Sequence, residues 1–193
     1  DPEKVAATVR LLTLDKQTEN HFLGHRKPGG IGRIYGGQVV AQALAAAQNT
    51  VDPARRPHSL HAYFLRGGDE DYRIEFSVAR DFDGGSFSNR RVIAAQNGVP
   101  ILNLTASFHR QEDGLSHQMP MPEVLMPEDL ETEDEVMKRL GRPIKAMAAF
   151  RRNRSYEIRM PPISPDGRLN WPNCSAVRKA RPKWRRAWKL AAR

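Results

Sequence analysis

The chain has 193 residues, 39% of them apolar, a mean hydropathy of −0.62 and a formal charge of +9, enough for one well-buried core plus an appendage. A single cysteine, Cys174, excludes an internal disulfide framework and a zinc site built from cysteines. No apolar run of 18 residues occurs, and the opening DPEKVAATVRLLTLDK lacks the basic-then-apolar order of a secretion signal, so the expectation is a soluble, cytoplasmic protein with no membrane span. The charge itself is local: residues 172–193 carry eight Lys or Arg and no acid, leaving +1 for residues 1–171.

In chain order, the pattern predicts an amphipathic helix over about 3–13 and a strand near His21. GRIYGGQVVAQALAAAQN (32–49) follows, a helix from Gly37 to about residue 50 in which only Gln42 is polar between Val39 and Ala47. A helix without a polar face must be enclosed, and this one is too short to cross a bilayer. Strands are then expected near 58–66, 72–82, 86–96 and 100–110, the last two joined at Asn97-Gly98, a pair that accepts the positive φ angles of a type I′ turn. Leu102, Leu104, Ala106 and Phe108 share one face of the final strand, and Asn103, Thr105, Ser107 and His109 the other. A curved antiparallel sheet wrapped round one apolar helix is the layering that buries such a helix, an α+β fold.

Beyond this body, HQMPMPEVLMPEDLETEDEVMKRLGRP (117–143) reads as a linker, with a short solvated helix in EDLETEDEVMKRL and one further strand in RSYEIRMPP (154–162). The expected division is a domain over 1–118, a linker over 119–163 and a basic, poorly packed tail over 164–193. In that tail Trp184 and Trp188 lie at i and i+4 among cations, which suits non-specific, salt-sensitive contact with polyanions or an anionic membrane and gives no specific nucleic-acid reader.

GGQVVAQAL (36–44), HSLHAYFLRGGD (58–69), GGSFSNRRV (84–92) and QNGVPILNLTASFHR (96–110), in this order and spacing, resemble the N-terminal half of the acyl-CoA thioesterase II family. The resemblance runs closely from about Val5 to Gln118. It implies a hotdog fold, hydrolysis of acyl-CoA to fatty acid and CoA, and no metal or organic cofactor. Family members carry two hotdog domains, and the second supplies the carboxylate, hydroxyl and glutamine that hold the attacking water. No block after residue 118 resembles that half, so none of the three can be assigned a position here. The expectation is that the catalytic half is missing or replaced, the end of the chain reading as a truncation or a frame change.

The remaining candidates are weighed on chemistry. Gly36, Gly37 and Gln38 open the buried helix, where free N–H groups can bind an oxyanion or the glycines can simply form a tight turn. Gln38 can orient a water or cap the helix, and Thr105 offers a hydroxyl on a strand. Either Arg90 or Arg91, neighbours on one strand, faces outward and can meet CoA phosphates, against the alternative of a solvated sheet face. Ser86 misses the nucleophile-elbow pattern, and GGIG (29–32) lacks the lysine and helix of a phosphate loop. His58 can be drawn with Asp69 or Asp83 as a catalytic pair, but an isolated strand histidine is more often a hydrogen-bonded structural residue. His58 and His61, three apart on a strand, are expected on opposite faces, wrong for a shared metal, so no metal site is expected. A non-catalytic hotdog module and a basic-tail binder stand as alternatives to the thioesterase. An unpaired sheet edge further predicts homo-oligomers.

Overall fold

The computed structural model describes residues 2–27, 29–121, 124–141 and 157–160. The chain divides into units 1–116 and 117–193. The first runs α1 (Pro2–Leu12), β1 (Asp15–Lys16), β2 (His21–Leu23), α2 (Gly36–Gln48), β3 (Arg55–Phe64), β4 (Glu75–Asp83), β5 (Phe87–Gln96) and β6 (Val99–Arg110). The six strands form one antiparallel sheet in the order β1-β2-β4-β5-β6-β3, so the α+β expectation holds. β5 and β6 turn at Asn97 and Gly98, whose φ angles of 51° and 74° are the positive pair that a type I′ turn needs.

β3 does not lie beside its successor β4 but crosses to the far edge, where Leu60, Ala62 and Phe64 sit opposite Ala106, Leu104 and Leu102 of β6. An edge position tolerates Pro57, which has no N–H to give the ladder, and the register slips between Pro57 and Ser59.

α2 packs across β4, β5 and β6. Gln38, Val39, Gln42, Ala43, Ala46 and Ala47 form its buried stripe, set against Phe76, Val78, Val92, Ala94, Leu102, Leu104, Ala106 and Phe108. The alanines let helix and sheet approach closely, and each large apolar side chain so buried contributes ~1.5–3 kcal/mol. The other side of the helix is less enclosed: Val40, Ala41, Leu44 and Ala45 remain half-buried. One sheet covers only one side of a cylinder, and α1, which touches α2, has no buried residue of its own.

The lone polar residue of the helix has a clear purpose. Gln42 is fully buried, and its Nε2 donates to the carbonyls of Leu11 (2.7 Å) and His25 (3.0 Å), tying the end of α1 and the segment after β2 to α2. Gly24 makes room for it, since a Cβ there would come within 3.0 Å of Gln42 Oε1 and 2.9 Å of the Phe76 ring.

In the second unit, α3 spans Glu133–Arg139 after a single 3-10 turn at Pro127–Asp129. Thr132 starts α3 with a capping box to Glu135, which shortens the helix expected over 128–140. That helix is not wholly solvated either, because Val136 is buried. Of the strand expected over 154–162, only 157–160 are described, and they contribute an isolated bridge between Thr132 and Arg159. The basic tail, with Cys174, Trp184 and Trp188, lies outside the described residues. Among the described residues no helix is long and apolar enough to cross a membrane.

Candidate functional site

The start of α2 is built by the strand-like segment before it. Ile34 N–H donates to Gly68 C=O, and Arg33 bridges Asp69, which aims the chain into the helix at Tyr35. Tyr35 has extended backbone angles (φ −64°, ψ 122°) and makes no side-chain cap, while Gln38 N–H closes the first turn on Tyr35 C=O at 2.9 Å. Among the described residues nothing accepts from the N–H groups of Gly36 and Gly37. These are the orphan donors that every helix start carries, at the positive end of the helix dipole.

Neither glycine has a positive φ; what their lack of a Cβ allows is the close approach of two side chains. A Cβ on Gly36 would stand 2.9 Å from the Phe64 ring, and one on Gly37 would stand 2.4 Å from the Tyr35 ring. Two aromatic rings thus lie on the backbone at the helix start, which is exposed at Gly37 and half-buried at Gly36. Gln38 is only 7% exposed, and among the described residues its side-chain amide has no hydrogen-bond partner, so its side chain does not cap the helix.

Thr105 does not join this cluster. It is exposed on the opposite face of the sheet, paired with His61 and Arg91, where His61, Tyr63, Arg91, Ile93, Asn103 and Thr105 outline a shallow depression. The reason is register: Leu104 and Ala106 face α2, so Thr105 between them must face away.

The two neighbouring arginines separate in the same way. Arg90 is 1% exposed and fully engaged: Nε meets Thr50 Oγ1 at 2.8 Å, the two NH groups reach the carbonyls of Thr50, Phe82 and Asn89, and NH2 holds Asp83 at 2.7 Å. It locks the end of α2 to the β4–β5 turn. Arg91 is the outward one, half-exposed and paired with Asp81 at 3.2 Å, on the face away from α2. Desolvation is the largest influence on Asp83 and acts upward, but hydrogen bonds from Ser88 and Arg90 outweigh it and hold its carboxyl below the usual range.

His58 pairs with neither aspartate. Its Nε2 meets Ser107 Oγ at 2.8 Å and its ring lies edge-on to Phe87 and His109. Ser107 lies on the same face as Thr105, as does His61 opposite Thr105, so the expected opposite-face placement of His58 and His61 fails. The register slip at Pro57–Ser59 inserts the extra residue that turns His58 round. Ser86 gives its hydroxyl to Glu112 (2.9 Å), a turn contact, and Gly29 and Gly32 (φ 70° and 78°) shape the loop before α2.

One buried carboxylate escapes sequence reasoning. Glu70, in the acidic run GGDED, looks like a solvated turn residue. It is 5% exposed, with Oε2 unpartnered and lodged where a Cβ on Gly30 would meet it at 2.6 Å. Burial pushes its pKa up, offset in part by Lys27 and Arg26.

Residues 25–109 match the family described as the acyl-CoA thioesterase N-terminal domain. Acyl-CoA thioesterase 2 of Haemophilus influenzae is 38% identical over 153 residues, covering 78% of this chain and 54% of that protein. The crystal structure of an acyl-CoA thioesterase II from Mycobacterium marinum aligns with a TM-score of 0.56 at 41% identity, over 62% of this chain and 44% of that one. A hot dog fold protein from Alicyclobacillus acidocaldarius, at 21% identity and TM-score 0.56 over 65% of this chain and 48% of its own, shares the architecture. The chain therefore spans about half the length of the relatives it matches. By fold and by these matches the chain is related to the acyl-CoA thioesterase II family, and residues 25–109 resemble that family's N-terminal domain.

Proposed function

We propose that this chain binds acyl-CoA and takes part in its hydrolysis to fatty acid and CoA. In that reaction water adds to the thioester carbonyl, a C–O bond forms, the C–S bond breaks and the thiolate leaves. The observation that carries the reading is the start of α2: two backbone N–H groups that have no acceptor among the described residues, at the positive end of a helix, beside the amide of Gln38, which has no partner among them either. Donors so placed can hold the carbonyl oxygen as charge develops on it, and Gln38 can orient the water. The Phe64 and Tyr35 rings would flank the thioester.

What this start lacks is a base. α2 carries no acidic residue in its first turn or beyond. We therefore read the site as a half-site whose carboxylate and hydroxyl come from a second hotdog domain, and the chain by itself as a weak hydrolase, since general-base help is worth ~100-fold to ~10,000-fold. Two features support pairing: the ten-residue edge strand β3, with Leu60, Tyr63 and Phe64 exposed, and the half-covered side of α2 at Val40 and Leu44. A second copy, forming a homo-oligomer along β3, would cover both.

The test is amide NMR on the chain with a non-hydrolysable acyl-CoA thioether. The reading expects the largest shifts at Gly36, Gly37 and Gln38. Shifts confined to Thr105 and Arg91 would reject it.

A further inference from the structure

A second pocket lies between α1 and the segment after β2, lined by Ala7, Arg10, Leu11, His25 and Arg26, with a volume of about 260 Å³. Complete small-ligand sites start at about 300 Å³, so this one suits one end of a larger molecule. Its floor is apolar and its rim cationic. The polar groups around it are mostly occupied in a way that leaves donors over. The carbonyls of Leu11 and His25 accept from Gln42, and that of Glu70 accepts from Arg26 Nε at 2.6 Å. His25 Nε2 lies 3.3 Å from Asp15, itself held by Arg73, and Arg26 NH2 lies 3.3 Å from Asp71. Arg10 has no acceptor among the described residues, so its guanidinium and its five N–H donors stand uncommitted at the rim.

We propose that this pocket binds the phosphate-bearing end of a CoA-class ligand, with Arg10 as its main contact. An open guanidinium offers a planar fork suited to two phosphate oxygens, and Arg26 adds positive potential behind it. Position favours the assignment. The pocket is anchored by Gln42, which shares the buried stripe of α2 with Gln38 and lies ~6 Å further along the axis. A ligand with its phosphates at Arg10 therefore lies beside the middle of α2, about one turn from the proposed thioester site at its start, with its flexible arm left to span the gap. The inference rests on the acyl-CoA reading, which names the ligand class.

The experiment measures binding of CoA, adenosine 3′,5′-bisphosphate, inorganic phosphate and pantetheine to the full chain and to its Arg10→Ala and Arg10→Lys variants. Arg10 is exposed on α1, so neither change threatens folding. The expected result is a loss of about tenfold or more in affinity for CoA and the bisphosphate in Arg10→Ala, the size of a charge-assisted contact. Arg10→Lys should restore part of it, and pantetheine binding should not change. An Arg10→Ala chain that binds CoA as tightly as the parent overturns the pocket assignment and leaves the acyl-CoA reading standing. So does an effect seen on inorganic phosphate alone, which marks an adventitious anion site. Arg10-dependent uptake of the bisphosphate without any CoA binding keeps the pocket and removes the acyl-CoA reading, and binding of none of the probes overturns both.

Discussion

The two faces of β5 and β6 are made from alternate residues of the same strands, yet they have opposite characters. Toward α2 stand Val92, Ala94, Leu102, Leu104, Ala106 and Phe108, all buried, with Arg90 among them. Away from it stand Arg91, Ile93, Asn103, Thr105 and Ser107, open or half-open. The comparison teaches that polarity alone does not assign a face. Arg90 is as polar as Arg91, but it is sealed by acceptors from α2's end and the β4–β5 turn. One residue of register keeps Thr105 and Arg91 off the face that packs against α2.

The sharpest way to break this comparison is to remove each arginine in turn. Arg90→Ala should cost ~3–5 kcal/mol of unfolding free energy, because it leaves Asp83 and the Thr50 groups without their buried donor. Arg91→Ala, losing an exposed pair with Asp81, should cost under ~1 kcal/mol. Equal costs in chemical denaturation would contradict the assignment of faces. Next in size is the pair Leu104→Ala and Thr105→Ala. The first should cost ~2–5 kcal/mol by opening a cavity under α2. The second should be near neutral for stability and should leave acyl-CoA binding unchanged.

A smaller effect concerns pH. Glu70 has a raised pKa in the fold, so its ionised form is penalised there more than in the unfolded chain. That penalty is fully present above the folded pKa and fades as pH falls through it toward the ordinary glutamate range. Glu70→Gln should therefore raise the melting temperature at neutral pH, and the gain should shrink in mild acid. A gain that grows on acidification would show the sign to be wrong.

Much of the fold is legible in the sequence. The run from Val39 to Ala47 could only be a covered helix, Asn97-Gly98 could only be a tight hairpin, and the alternation from Leu102 to Phe108 placed one face of β6 in the core. The site is less legible because it depends on non-local register. Nothing in HSLHAYFLR says that β3 runs to the far edge, or that Pro57 shifts the register and swings His58 to the outer face. Glu70 was hidden because its burial comes from Gly30, forty residues earlier. Gln42 was visible as an anomaly, but its partners Leu11 and His25 were not.

The proposed half-site at α2's start, with no base of its own, is open to a direct test. The most direct measurement is thiol release from a long-chain acyl-CoA by the purified chain, alone and mixed with the second hotdog domain of a two-domain relative. The chain alone should work at less than about one hundredth of the relative's rate, the general-base deficit, and added partner domain should raise the rate in a manner abolished by Gln38→Ala. A chain that alone matches the relative, with Gln38→Ala unimpaired, would contradict it.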